Sequence, residues 1–573
     1  MSSASPPPVL ILGAGINGAA LARDLALNGV PVWVVDANDI AFGATAKSSR
    51  LIHGGLRYLE YGDFPLVRES LAERARLRRL APQFVEPLRL YIPVAHRTGS
   101  FWRSVTRLFG AARSSFLSRL ALPGRRERGL WLVRMGLWLY DRFARDPEFP
   151  RSSVVRVGTP GTPQVDRSKY RWLCAYSDGQ MRYPERFVVA LLEDARRMAV
   201  ERGIEFRVLT YHRATLADGA AEIRRCEPPH AERADDSGVV ERFRPPLVVN
   251  ATGAWGDLTL QQLHVPAPTL FGGTKGSHFI TYHAGLKQAL SSDGVYAEAA
   301  DGRLVFVLPF GAGVLVGTTD ERFSGPPEAA VASEPELDYL VGMINALFPQ
   351  VGLGRSDVEL HYSGVRPLPA VEARRTGAIP RDHRIEPHEK NGIPVLTLVG
   401  GKLTTCRQVA EELADEVLGR LGRERIADTR ERPVSGGEEF PQDPASLRQE
   451  WERIAVETGF STEQVEAVWS LCGRSAAAIL GGADPADRES LAGTDLPLAF
   501  VRSVIDREWV ATLADLVERR LMLVYQPGLT RQALEQLGDC LVAAGTYQPS
   551  RRAAELACTI ERLHRHYGKR IIE

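Results

Sequence analysis

A short glycine-rich turn near the N-terminus constrains the fold of this chain more than any other feature. The apolar run Val9–Leu12 leads directly into Gly13-Ala14-Gly15-Ile16-Asn17-Gly18, a G-x-G-x-x-G pattern, and residues 19–28 then have helical character. A second apolar run, residues 30–35, follows and ends at Asp36. This strand–turn–helix–strand order predicts a Rossmann-like α/β domain that binds a dinucleotide.

Each of the three glycines in this turn has a predicted physical role. Gly13 permits the tight turn, Gly15 lets the backbone approach a pyrophosphate, and Gly18 lets the helix pack closely on the strand. The helix N-terminus offers N–H groups and the positive end of its dipole to the phosphates. Asp36 stands at the tip of the second strand, where its carboxylate can accept hydrogen bonds from ribose hydroxyls.

The composition limits the class of protein. The 573 residues are 44% hydrophobic and 25% charged, as expected for an ordinary globular protein of several domains. A formal net charge of +1 argues against a dedicated nucleic-acid binder. The six cysteines form no C-x-x-C pair, so neither a metal site nor a disulfide framework is predicted, which fits a reducing compartment. No apolar run approaches the roughly 20 residues of a membrane-spanning helix. The first residues lack a basic region, so no secretory signal is expected.

Further small-residue turns lie far along the chain. Apolar strands run into Ala251-Thr252-Gly253 and into residues 400–405. The nucleotide domain is therefore expected to be assembled from discontinuous segments within residues 1–430. The stretches between them, roughly 80–150 and 270–360, are assigned to an interleaved substrate domain with a mixed sheet, which includes a predicted hairpin within its second stretch.

The composition of the sequence changes near residue 432. Prolines and glycines mark a linker there, and residues 445–566 read as amphipathic helices separated by short breaks. Residues 431–573 are predicted to form an all-helical C-terminal domain, in which no catalytic motif is recognisable.

The stretch from Phe101 to Arg145 is locally basic. Ten arginines stand there against two acids, interleaved with tryptophans and other aromatic residues, and residues 130–143 predict an amphipathic helix. Two interpretations stay open. The segment is a membrane-facing surface, on which arginines attract anionic headgroups and tryptophans lie at the interface, or it is a pair of substrate-domain helices with a solvated arginine face.

At Ser48-Ser49-Arg50-Leu51-Ile52-His53-Gly54-Gly55-Leu56-Arg57-Tyr58-Leu59-Glu60 the chain resembles the FAD-dependent, quinone-linked glycerol-3-phosphate dehydrogenases, which are similar to flavoproteins of the D-amino-acid-oxidase type. Further matching blocks follow in the family's order along almost the whole chain. They are residues 250–255, 275–278, 316–320, 362–368, 381–382, 400–405 and 506–510.

The resemblance implies FAD as the cofactor, sn-glycerol 3-phosphate as the substrate and a membrane quinone as the electron acceptor. It also implies a cytoplasmic protein bound peripherally to the inner face of the cytoplasmic membrane, and it leaves a homodimer open. The residues expected to bind the cofactor are Gly13, Gly15, Gly18, Asp36, Thr45, Ser48, Ser49, Ala251, Thr252, Gly253, Gly401, Lys402, Leu403 and Thr404.

The substrate side of the site is predicted from its chemistry and from the same blocks. Arginine forks match the oxygens of a phosphate monoester, and Arg57, Arg366 and Arg381 lie in the family's substrate-site blocks. His53 is the candidate base for the substrate hydroxyl, with a purely structural role as the alternative. Lys402 is expected to stabilise the developing alkoxide and the reduced flavin.

Other functions are compatible with parts of this pattern. An oxidase of the same substrate would pass electrons to oxygen and make hydrogen peroxide. A flavin amine or amino-acid oxidase, a flavin-containing binding protein and an NAD-dependent dehydrogenase fit less of the sequence. The identity of the quinone and any covalent attachment of FAD stay open.

Overall fold

The computed structural model describes residues 6–97, 129–144, 146, 148–226, 239–299, 301–371 and 382–572. For residues 57, 60, 61 and 485 it describes the backbone alone. Within these residues the chain forms two large sheets, one small sheet and a C-terminal group of helices. The expected α/β architecture with mixed sheets and a helical C-terminal region is confirmed.

The first sheet carries the predicted dinucleotide turn and is parallel except for its edge strand β18. It is built from segments far apart in the chain. In spatial order its strands are β18 (Arg384–Lys390), β19 (Ile393–Val399), β11 (Val248–Asn250), β1 (Val9–Leu12), β2 (Val32–Asp36) and β7 (Phe206–Thr210).

Both faces of the first sheet are covered, which explains why its strands are continuous apolar runs rather than alternating ones. In β1, Val9 and Ile11 face one hydrophobic cluster and Leu10 and Leu12 face another. The first cluster lies under helices α1 (Ile16–Leu27), α4 (Pro184–Arg202) and α8 (Cys406–Arg420). The second lies under α5 (Gly256–Gln262) and the small antiparallel sheet β8 (His212–Ala217), β9 (Ala220–Arg225) and β10 (Val239–Phe243).

The second sheet is mixed, and β14 and β15 form the predicted hairpin. It also draws on segments outside the two expected stretches, because β4 pairs along its whole length with a strand at 172–181. Its strands in order are β16 (Glu321–Arg322), β12 (Thr274–Thr281), β15 (Gly313–Gly317), β14 (Leu304–Phe310), β13 (Gly294–Glu298), β4 (Val85–Val94), β6 (Trp172–Met181) and β3 (Leu51–Ile52), with β17 (Leu360–Arg366) paired to β12 and β5 (Ser153–Arg156) to β6.

Helices cover both faces of the second sheet as well. Helices α2 (Phe64–Leu80) and α3 (Leu130–Ala144) pack on one face, and α6 (Ala284–Leu290) and α7 (Glu334–Leu347) pack on the other. Helix α3 is the amphipathic helix predicted from the sequence. The rest of the basic stretch, residues 98–128, lies outside the described residues.

The C-terminal helices share a hydrophobic cluster with the second sheet and α3 instead of forming a separate core. A π-helical turn, Leu516–Arg520, faces the first sheet's loops. The helices are α9 (Pro444–Thr458), α10 (Thr462–Cys472), α11 (Ser475–Gly481), α12 (Leu498–Arg507), α13 (Arg531–Ala543) and α14 (Arg552–Tyr567). None of the helices in the described part of the chain is long and apolar enough to cross a membrane.

Candidate active site

A cavity of about 740 Å³ runs from the glycine turn after β1 to the strands of the second sheet. Most of the residues predicted to bind cofactor or substrate lie on its wall. Those that do are Gly13, Gly15, Asp36, Thr45, Ser48, Ser49, His53, Ala251, Thr252, Gly253, Arg366, Gly401, Lys402 and Leu403.

The glycine turn has the geometry predicted for Gly13 and Gly18. Gly13 has a φ of +104°, which favours glycine strongly, and a side chain there would meet the Ala251 carbonyl. A Cβ on Gly18 would lie 1.9 Å from the carbonyl oxygen of Gly13. Gly18 therefore lets α1 pack against the turn, and it does not itself line the cavity.

Gly15 differs from the other two glycines because the protein around it leaves room for a side chain. The nearest atom to a Cβ there would be the Thr45 hydroxyl oxygen, at 3.5 Å, and the remaining space belongs to the cavity. Helix α1 begins at the next residue, whose N–H donates to the Thr45 hydroxyl at 3.1 Å. The surrounding protein therefore does not require glycine at position 15.

Asp36 ends β2 at the cavity wall, as predicted. Its carboxylate accepts the N–H groups of Ala14, at 2.7 Å, and Asn38, at 2.8 Å. Burial raises its pKa to about 6, although these hydrogen bonds and the nearby Arg519 act in the opposite direction. The carboxylate is therefore fixed in one orientation, at the edge of the sheet where a ribose would lie.

The hydroxyls of Ser48 and Ser49 also have partners within the protein. The Ser48 hydroxyl accepts the Arg50 N–H at 3.3 Å, and the Ser49 hydroxyl lies 2.9 Å from Nε2 of His278. His278 is buried and stacks on Tyr362 with 4.9 Å between ring centroids. Burial, together with the nearby arginines, holds the pKa of His278 well below its usual range, so this ring is neutral.

The turn after β19 returns the chain to the cavity beside the start of α1. Gly400 and Gly401 have φ values of +88° and +95°, and a Cβ on Gly401 would lie 2.7 Å from the Asn17 side chain. The side-chain oxygen of Asn17 is buried and has no hydrogen-bond partner among the described residues. The ammonium of Lys402 lies over the ring of Tyr58, 4.3 Å from its centroid.

Thr404 has a different position from the one expected of a cofactor ligand. It is buried away from the cavity wall, and its hydroxyl accepts the N–H of His53 at 3.1 Å. Thr404 therefore holds the His53 backbone in place.

His53 lies on the cavity wall, and its Nδ1 accepts the N–H of Gly55 at 3.1 Å. In the neutral ring this contact favours the tautomer with its proton on Nε2, which makes Nε2 a donor. The geometry thus gives a positioning or donating role to His53 unless the Gly55 contact opens.

Arg366 ends β17 on the cavity wall and is held by the turn that follows β15. Its guanidinium donates to the Asp320 carboxylate at 3.0 Å, to the Thr318 hydroxyl at 3.1 Å and to the Thr319 carbonyl at 3.2 Å. These contacts fix the plane of the guanidinium at the cavity.

The side chains of the other two predicted arginines are not among those that the structure describes. Arg57 lies in the 3₁₀ turn Leu56–Tyr61, between the cavity residues His53 and Tyr58, but its side chain is not among those described. Arg381 lies outside the described residues altogether.

Several cavity residues were not predicted as site residues. Tyr58 and His278 stand within matching sequence blocks, whereas Lys47 lies one residue before such a block. Arg562 and His566 come from α14 in the C-terminal region, where no sequence motif pointed to the site. The ammonium of Lys47 lies 3.8 Å from the ring centroid of Tyr567, and burial lowers the pKa of Lys47 to about 7.

Comparison with known proteins identifies related chains. Residues 8–416 match the family of FAD dependent oxidoreductases (DAO). A glycerol-3-phosphate dehydrogenase of Synechocystis sp. is 33% identical over 455 residues, which cover 76% of this chain and 74% of the relative. A D-erythritol 1-phosphate dehydrogenase of Brucella abortus is 30% identical, with 89% of this chain and 93% of the relative covered.

A solved structure has the same fold over nearly the whole chain. The glycerol-3-phosphate dehydrogenase from Bacillus halodurans, complexed with FAD, superposes with a TM-score of 0.69 at 20% identity and covers 99% of this chain and 96% of its own.

Proposed function

Because this chain belongs to the FAD-dependent oxidoreductases, in the glycerol-3-phosphate dehydrogenase family, we propose that it oxidises sn-glycerol 3-phosphate to dihydroxyacetone phosphate. One observation carries this proposal. In the described part of the chain, one cavity is lined both by the dinucleotide turn and Asp36 and by His53, Arg366 and Lys402.

The residues of the cavity wall fit FAD. Gly15 leaves open space beside the N-terminus of α1, where the cofactor's diphosphate would lie. The unpartnered oxygen of Asn17 and the backbone of Gly401 would face the flavin end. When bound, FAD supplies a two-electron acceptor for the hydrogen on the substrate carbon.

We assign the substrate phosphate to Arg366 and Arg57. Guanidinium groups bind phosphate oxygens, and Arg366 lies on the cavity wall. Its two terminal nitrogens already donate to Thr274, Asp320, Thr318 and Thr319, so the phosphate has to share these N–H groups with the protein. Arg381 stays in the proposal as a third, weaker phosphate ligand. Lys402 would stabilise negative charge on the substrate oxygen as it loses its proton.

For the proton of the substrate hydroxyl we propose His53, with His278 as the second candidate. Acceptance at Nδ1 of His53 requires the Gly55 N–H to move away. The Nδ1 atom of His278 is buried without a hydrogen-bond partner among the described residues. It can accept a proton only in the tautomer in which Nε2 donates to Ser49, and the lowered pKa of this ring makes it the weaker base. Replacing each histidine with glutamine in a separate variant identifies the base, since removal of the base lowers kcat by about 10²–10⁴-fold.

We further propose that a membrane quinone receives the electrons and that α3 faces the membrane from the cytoplasmic side. Trp131 and Trp138 are 52% and 64% exposed on one face of α3, with Arg134 between them. Tryptophans and arginines together suit the interface of an anionic bilayer.

The membrane proposal is tested with vesicles that contain anionic lipid. Replacing Trp131 and Trp138 with serine should lower vesicle binding at least several-fold. The control replaces two valines elsewhere that are even more exposed, Val200 and Val456, with serine. Equal binding of both double variants would remove α3 from the membrane surface.

The substrate proposal is tested by steady-state kinetics of Arg366→Ala and Arg57→Ala. Each variant should raise KM by about two orders of magnitude, because a hydrogen bond to a charged group contributes about 1.5–3 kcal/mol, while the visible spectrum of bound FAD persists. Arg453→Ala, on exposed helix α9, is the matched control. Near-normal KM in both site variants would contradict the assignment.

The same kinetic assay distinguishes a three-carbon from a four-carbon polyol phosphate as the preferred substrate. D-Erythritol 1-phosphate, the substrate named for the Brucella relative, is compared with glycerol 3-phosphate. A higher kcat/KM for glycerol 3-phosphate supports the proposal, and the reverse order would make this a four-carbon polyol phosphate dehydrogenase.

A further inference from the structure

Four polar residues in the matching blocks of the second sheet do not line the cavity. Lys275 and Ser277 lie on β12, Thr319 follows β15, and Ser363 lies on β17. All four are buried, although they are polar. Buried polar groups require partners, so their location calls for an explanation other than contact with substrate or cofactor.

These residues converge on Glu336, in the first turn of α7. One oxygen of its carboxylate accepts the hydroxyls of Ser277 and Thr319, both at 2.8 Å. The other oxygen lies 2.7 Å from the ammonium of Lys275. Ser363 joins through its hydroxyl, 2.6 Å from that of Ser277.

Thr319 connects this carboxylate to the substrate end of the cavity. Its hydroxyl donates to Glu336 and accepts the N–H of Ser277 at 2.9 Å, so its position is fixed from two sides. Its carbonyl oxygen accepts from the guanidinium of Arg366 at 3.2 Å. The residues on either side, Thr318 and Asp320, accept from the same guanidinium.

We propose that Glu336 is a positioning residue for Arg366. It anchors the turn at residues 318–320, which in turn holds the guanidinium at the cavity wall. This inference rests on the proposed function, in which Arg366 binds the substrate phosphate. Glu336 itself does not line the cavity.

The electrostatics of the cluster support this role. The contacts with Lys275, Ser333, Thr319 and Ser277 outweigh the effect of burial and lower the pKa of Glu336 to about 2. The carboxylate is thus ionised at neutral pH and acts only as an acceptor. A neutral amide could not accept from both hydroxyls and from the ammonium, because its nitrogen is a donor.

Glu336 also has a local role that must be separated from the proposed one. Its second oxygen accepts the N–H and the hydroxyl of Ser333, both at 2.9 Å, in a capping box at the start of α7. Loss of such a cap costs about 0.5–2 kcal/mol of stability. Among the described residues Ser333 forms no hydrogen bond with Thr319 or Arg366, so Ser333→Ala removes the cap without changing a side chain of the turn.

The experiment compares KM for glycerol 3-phosphate, kcat and FAD affinity in Glu336→Gln, Ser333→Ala and Arg366→Ala. Glu336→Gln should raise KM at least ten-fold, with FAD affinity within about two-fold of the original. Ser333→Ala should lower the melting temperature without changing KM. A purely structural role for Glu336 would give the Ser333→Ala pattern and overturn the inference.

A second pair of variants applies if Glu336→Gln does not fold. Thr319→Val removes the hydroxyl that reaches Glu336 but preserves the size of the side chain, and it should raise KM. Thr319→Ser restores the hydroxyl and should restore KM. Equal KM for both threonine variants and the original protein would contradict the inference. An unchanged KM in Arg366→Ala would instead refute the assignment of the phosphate to Arg366.

Discussion

The guanidinium of Arg520 makes two parallel hydrogen bonds to the carboxylate of Asp39, at 2.9 and 2.7 Å, and both side chains are fully buried. Asp39 lies three residues beyond Asp36, in the loop that borders the cavity. Arg519 contacts the same carboxylate. The C-terminal region therefore holds the loop that carries the proposed ribose ligand.

Arg520→Met should lower both stability and FAD affinity. Removing one partner of a buried ion pair costs about 3–5 kcal/mol when the remaining charge is left without compensation. Arg519 still pairs with Asp39 in this variant, so we expect a smaller loss, centred on the loop that borders the cofactor cavity. Thermal unfolding and fluorescence titration of the apoprotein with FAD measure the two effects.

Arg186→Met is the matched control for that prediction. Arg186 pairs with Glu508 and also ties the C-terminal region to the body, but neither residue lines the cavity. We expect lower stability with unchanged FAD affinity under conditions in which the variant is folded. Equal loss of FAD affinity in both variants would show that the Asp39 contact has no special effect on the cofactor.

Substitutions of two glycines in the first turn should separate effects on the stability of the fold from effects on FAD affinity. Gly15→Ala should leave the melting temperature of the apoprotein nearly unchanged, because the added methyl group meets no protein atom closer than 3.5 Å. It should weaken FAD binding at least ten-fold, because the methyl group would occupy space that the bound cofactor needs. Gly18→Ala should destabilise the apoprotein, since its Cβ would lie 1.9 Å from a carbonyl oxygen. Equal melting temperatures for the two variants would refute this distinction.

Thr404→Val should lower kcat by about ten-fold with little effect on FAD affinity. The hydroxyl of Thr404 accepts the His53 N–H and does not reach the cavity wall. Thr404→Ser keeps the hydroxyl and should retain most of the activity. A large loss of FAD with Thr404→Val would restore Thr404 to the cofactor ligands predicted from the sequence.

Lowering the pH should reduce the free energy of unfolding, because Glu336 then becomes protonated. Its pKa is about 2 in the folded protein and has an ordinary value of 4.5. A lowered carboxyl pKa adds stability above pH 4.5 that is lost as pH falls towards 2. The difference in urea midpoint between the original protein and Glu336→Gln should therefore shrink over that interval, and a constant difference would contradict the lowered pKa.

The sequence was sufficient to predict the four central strands of the first sheet, β19, β11, β1 and β2, and fourteen residues of the cavity wall. Gly13 is required by a positive φ in a tight turn, and Asp36 stands at the end of a strand. Both are local features, so they could be recognised from the order of residues alone. The turns at 251–253 and 400–405 could be related to them because the carboxyl ends of parallel strands meet at one edge of a sheet.

Other features depend on contacts that no local pattern reveals. Thr404 was expected on the cofactor, but whether its hydroxyl faces the cavity or His53 is decided by packing. The contribution of α14 to the cavity arises from docking of the C-terminal helices, as does the Arg520–Asp39 pair, which is 481 residues apart in the chain. Likewise, Glu336 reads in the sequence only as an acidic residue in the first turn of a helix.

The central claim is tested most directly by anaerobic reduction. The purified protein should show a flavin spectrum that bleaches when glycerol 3-phosphate is added, and a quinone analogue should reoxidise it faster than oxygen does. Faster reoxidation by oxygen would instead identify a glycerol-3-phosphate oxidase. A flavin spectrum that does not change on addition of glycerol 3-phosphate would contradict the proposed substrate while leaving the cofactor assignment in place.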